Sequence, residues 1–67
     1  MNDVVAAPRQ MITEKQVLGL IPVARSTLQA WVQAGTFPKP VAIGPHRRAW
    51  FAADVAAWQR EREQQAA

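Results

Sequence analysis

Apolar positions follow a helical period in three stretches of the chain, separated by segments where proline and glycine break it. Thr13 and Gln16 have the spacing of a capping box, with the hydroxyl set to accept from a first-turn amide and the amide side chain set to reach back. Ile12 and Val17 stand where a hydrophobic staple closes over such a start. The pattern predicts a helix over about residues 14–20, with Val17, Leu18 and Ile21 on its buried side and Pro22 ending it. A second helix is expected over about residues 25–34. Leu28, Trp31 and Val32 recur there at i, i+3 and i+4, and Gly35 occupies the usual C-terminal stop. A connection of about four residues between two short helices is that of a helix-turn-helix, although an ordinary αα-hairpin has similar length.

The period changes at Phe37. Pro38 and Pro40 preclude a regular helix, and Val41-Ala42-Ile43 and Ala49-Trp50-Phe51 read as short strands on either side of Gly44-Pro45-His46-Arg47-Arg48. The result is a β-hairpin with a basic tip. A third helix is expected over about residues 52–63, with Phe51, Val55 and Trp58 at i, i+4 and i+7 and Asp54 in its first turn, where a carboxylate suits the helix dipole. Residues 1–10 have no apolar periodicity, and the polar run after Trp58 reads as a solvated helix extension or a frayed tail. The expected division is a flexible arm over 1–10, one domain over 11–63 and a flexible tail over 64–67. In class the fold is mainly α with a small β-hairpin.

Composition narrows the chemistry. A chain of 67 residues without cysteine has no disulfide framework, thiolate metal site or cysteine nucleophile, and reads most simply as cytosolic. The apolar run Val4 to Ala7 is too short for a signal-peptide core or a membrane span, so no membrane partner is expected. The formal charge is +3, but its placement says more than its total. No acidic residue lies between Glu14 and Asp54, whereas Lys15, Arg25, Lys39, Arg47 and Arg48 all fall there. Basic charge concentrated on a small fold suits a partner rich in phosphates, although a merely solvated surface has the same composition.

Projected at about 100° per residue, the second helix places Leu28, Trp31 and Val32 in one arc, with Ser26, Gln29, Ala30 and Gln33 opposite and Arg25 on the flank. A short polar face of this kind suits the major groove, where Gln pairs with adenine edges, Arg with guanine, and Ser or Thr with base or phosphate. A plain amphipathic helix facing water fits the same pattern. The hairpin adds a second element for the same ligand, since His46, Arg47 and Arg48 form a positive tip able to meet phosphates or enter a minor groove. The tryptophans Trp31, Trp50 and Trp58 occupy core-facing positions and are assigned to packing rather than to base stacking.

The stretch from Val17 to Trp58 resembles the AlpA-type phage and prophage regulators, small MerR-like winged helix-turn-helix proteins related to excisionases. The matching marks are Arg25-Ser26-Thr27-Leu28, then Gly35-Thr36-Phe37-Pro38-Lys39-Pro40-Val41, Gly44 and Pro45, and finally Trp50, Asp54-Val55 and Trp58. The resemblance implies sequence-specific binding of double-stranded DNA. The second helix, with Arg25, Ser26, Thr27, Gln29, Ala30 and Gln33, would enter the major groove, while Lys39, His46, Arg47 and Arg48 would meet the backbone or minor groove. It also implies transcription control or, alternatively, excisive recombination, with RNA polymerase or an integrase as a further partner. Pro22 stands where the family usually has Gly, Ala24 where it usually has a Ser cap, and Gln29 and Ala30 where it often has an aromatic and an Arg. The target sequence is therefore not carried over.

An enzyme is not expected. Ser26, His46 and Asp54 are the one conceivable nucleophile, base and orienting group, and each has a simpler explanation in an exposed or capping position. One histidine and scattered carboxylates do not make a zinc site, and no cofactor is implied. The alternative from another class is a protein-interaction module that uses the same fold without reading DNA. With no apolar heptad after the third helix, a monomer is expected in solution, with copies binding adjacent sites on DNA, cooperatively or not.

Overall fold

A computed structural model describes residues 8–66. Chain order is β1 (Met11–Thr13), α1 (Glu14–Leu20), α2 (Arg25–Ala34), β2 (Val41–Gly44), β3 (Arg47–Phe51) and α3 (Ala52–Ala66). Three helices and a three-stranded antiparallel sheet make the mixed small domain of a winged helix-turn-helix.

Local chemistry sets each boundary. The Thr13 hydroxyl accepts from the Gln16 amide at 3.1 Å, and the Gln16 side chain accepts from the Thr13 amide at 2.8 Å, completing the capping box. After α1 the Val23 amide donates to the Ile21 carbonyl at 2.8 Å, closing a three-residue turn centred on Pro22. The ring-locked φ of proline suits that turn, so Pro22 does by rigidity what glycine does by freedom. Gly35 adopts φ 81°, and the amides of Gly35 and Thr36 donate to Val32 and Trp31 at 3.2 and 3.0 Å. These bonds form a Schellman stop, for which a residue without Cβ is favoured. By contrast, α2 begins at Ala24, which supplies no side-chain cap.

The sheet order is β1-β3-β2, so the strand latest in sequence lies in the middle. β1 was not expected from the sequence: a run of three residues shows no periodicity, and its pairing of Met11, Ile12 and Thr13 with Phe51, Trp50 and Ala49 is wholly non-local. Of the arm expected over 1–10, residues 1–7 lie outside the described residues. Gln10 is tied down, its carbonyl accepting from the Ala52 amide at 2.9 Å, and the Arg9 guanidinium lies 3.9 Å from the Phe51 ring centroid. At the other end, residues 64–66, expected as tail, continue α3. The longer helix is the solvated extension: its last turns are exposed, and Arg62 lies over Trp58 one turn back, at 5.2 Å from the ring centroid.

The core joins every layer. Ile12, Val17, Ile21, Leu28, Phe37, Trp50 and Val55 form one buried cluster. Of the tryptophans assigned to packing, only Trp50 is fully buried; Trp31 and Trp58 are half-buried, stacked at 5.8 Å against the edge of the cluster. Two indole bonds fix the segment between α2 and β2, since Trp50 donates to the Pro38 carbonyl at 2.8 Å and Trp58 to the Thr36 carbonyl at 2.7 Å.

Candidate nucleic-acid interface

The wing is β2 and β3 with a two-residue turn, Pro45-His46, between Gly44 and its partner Arg47. Proline at the first turn position and φ 59° at His46 match a type II turn, which normally favours glycine at the second position. His46 is therefore held in the left-handed region, at a cost of about 1 kcal/mol. The register also shifts between Ala42 and Gly44, leaving Ile43 as the extra residue of a bulge opposite Arg47 and Arg48. Bulges re-aim side chains. Ile43 is 53% exposed, on a strand exposed throughout, and lines a groove with His46, Arg47 and Arg48.

Two surface grooves adjoin at the junction of α2 and the wing. One is lined by Leu28, Gln29, Val32 and Gln33 of α2 together with Arg48 of β3. The other is lined by Lys15 and Arg25 together with Ile43, His46, Arg47 and Arg48. Both are also lined by Glu14 and Trp50, so Trp50 forms a common floor and Arg48 a common wall. Gln29 and Gln33 of α2 and the basic tip of the wing thus border two neighbouring grooves that share Glu14, Arg48 and Trp50.

The candidate residues from sequence divide accordingly. Arg25, Gln29, Gln33, His46, Arg47 and Arg48 line the paired grooves. Ser26 and Ala30 are exposed on α2 but line neither groove, Thr27 is half-buried, and Lys39 is exposed between the two prolines that precede β2. Besides the apolar floor and Thr13, the grooves are lined by Glu14, Lys15 and Ile43, which are not among the candidate site residues of the sequence. Lys15 was counted only in the charge pattern. Glu14 and Arg25 are far apart along the chain, and only the α1–α2 turn brings them together, with Glu14 Oε1 at 3.4 Å from Arg25 Nε. Ile43 is placed by a bulge, for which its sequence carries no marker.

The conceivable catalytic trio is not assembled. His46 lines the Arg25 groove, whereas Asp54 lines a separate one with Phe37, Trp58 and Glu61, and the two grooves share no residue. Among the described residues no group of three or more His, Asp or Glu is placed to hold a metal ion, and no helix is long and apolar enough to cross a membrane.

The family described as prophage CP4-57 regulatory protein (AlpA) matches residues 10–63. No curated protein matches the chain.

Proposed function

The chain belongs to the AlpA family of prophage regulatory proteins, and from that premise we propose that it is a transcriptional regulator that binds a specific sequence of double-stranded DNA. In this reading α2 lies in the major groove, with Gln29 and Gln33 facing base edges and Arg25 at its entry. The wing then lies on the flanking backbone or minor groove, with Arg47 and Arg48 on phosphates. The observation that carries the reading is the shared wall: Arg48 borders the groove of Gln29 and Gln33 as well as that of Arg25 and His46. Two elements that border adjoining grooves can grip one duplex. The place of such work is the cytoplasm, and neighbouring copies on adjacent sites would lengthen a readout that one short helix leaves brief.

The test is site selection from randomised duplex DNA, followed by titration of the selected site at several salt concentrations. Log affinity is expected to fall against log salt with a slope of about −3.6 if Lys15, Lys39, Arg47 and Arg48 engage phosphates while Arg25 reads a base, and about −2.7 if Lys39 stays outside. No enrichment, or a binding curve indifferent to salt, is the outcome for a protein-interaction module and overturns the proposal.

A further inference from the structure

Among the described residues, Glu14 is the one acidic residue lining either groove of the proposed DNA surface. By charge alone it weakens a surface that meets phosphates, so its presence calls for a compensating role. Its carboxylate faces Arg25, with Oε1 3.4 Å from Nε; the Glu14 side chain is 25% exposed and that of Arg25 64%. Pairs this open to solvent contribute little to stability. Arg25 itself sits in the first turn of α2, at the positive end of the helix dipole, with no acidic residue in that turn and no side-chain cap at Ala24. Glu14, from the start of the neighbouring helix, is therefore the counter-charge that holds an arginine at an otherwise unfavourable place.

We propose that Glu14 is a positioning residue for sequence readout: by engaging the Nε edge of Arg25 it leaves the Nη1/Nη2 fork as the edge offered to a guanine. An arginine reads guanine O6 and N7 through two parallel N–H donors, and it has two edges that can do so. A carboxylate lying against the Nε side before DNA arrives biases the guanidinium toward the end-on geometry. The inference rests on the DNA-binding reading and concerns specificity, whereas the wing cations concern affinity.

Two substitutions separate charge from geometry. Glu14→Gln removes the charge but keeps an acceptor for Nε; Glu14→Met has similar length and no acceptor. Affinity is measured by fluorescence anisotropy at fixed salt for the selected duplex and for a scrambled one. Both variants are expected to bind scrambled DNA about 1.5- to 5-fold more tightly, the scale of one exposed charge interaction. The ratio of selected to scrambled affinity is expected to fall about five- to tenfold in Glu14→Met, part of the discrimination carried by one arginine–guanine pair, and less in Glu14→Gln. In an Arg25→Ala background, Glu14→Met should change that ratio no further. A discriminating wild-type protein whose Glu14→Met variant keeps the full ratio overturns the positioning role alone. A wild-type protein that binds no duplex overturns the DNA reading and this inference with it. A purely structural role for Glu14 would lower the thermal midpoint and leave the ratio intact, again overturning the proposal; Glu14→Ala, which also lacks the acceptor, supplies the ratio if the methionine variant fails to fold.

Discussion

Trp50 joins the core to the candidate interface in a single side chain. Its ring is 2% exposed among Ile12, Leu28, Phe37 and Val55, while its indole N–H donates to the Pro38 carbonyl and its edge floors both grooves. Trp50→Ala is expected to cost about 3–5 kcal/mol, most of the roughly 3–10 kcal/mol available to a domain of this length. Trp50→Phe keeps most of the packing and orphans the carbonyl, for a smaller loss of about 1–3 kcal/mol. Urea unfolding followed by far-UV circular dichroism measures both. A midpoint unchanged in Trp50→Ala would mean that the ring is not core. Trp58, half-buried and reached by Arg62 from the solvent side, contributes at the rim of the same cluster. Sequence periodicity places both rings on the inward side but does not distinguish a central ring from a marginal one. Phe37, which belongs to no helix or strand, touches both, its ring centroid 6.3 Å from that of Trp50 and 4.9 Å from that of Trp58.

At the scale of elements, the two recognition pieces differ in how firmly they are built. α2 ends in a complete Schellman stop but starts without a side-chain cap, so its first-turn amides lack a local acceptor. Ala24 already has the extended backbone of a cap residue, with φ −73° and ψ 156°. Ala24→Ser is therefore expected to stabilise the free protein by about 0.5–2 kcal/mol, read as a raised thermal midpoint without DNA; an unchanged midpoint would place the limiting step elsewhere than α2. The wing, in contrast, is a bulged hairpin with a left-handed histidine at its tip and exposed residues throughout β2. In the proposed complex its contribution is charge. Replacing Arg47 and Arg48 together with Ala is expected to weaken every duplex alike and to flatten the salt slope by about 2 units. An unchanged slope would remove the wing from the phosphate contacts.

For the molecule as a whole, legibility follows the range of the interactions. α1 and α2 could be read residue by residue because their limits are set within a few positions, by Thr13 with Gln16, by Pro22 and by Gly35. The hairpin was legible through its prolines and its apolar runs. β1 was not, since Ile12 acquires its strand geometry from Trp50, far along the chain. The interface divides in the same way: polarity along α2 and the basic tip are local signals, whereas the meeting of Glu14 with Arg25 and the outward turn of Ile43 arise only once the sheet and the helix pair are assembled.

The sheet order carries one more consequence. Because β3 is the central strand, β1 and β2 each pair with it rather than with each other. A ribosome that stops before Arg47 leaves both outer strands unmated and the core without Trp50. Half a message therefore yields no half-working protein, only a short chain with exposed apolar side chains for proteases to clear.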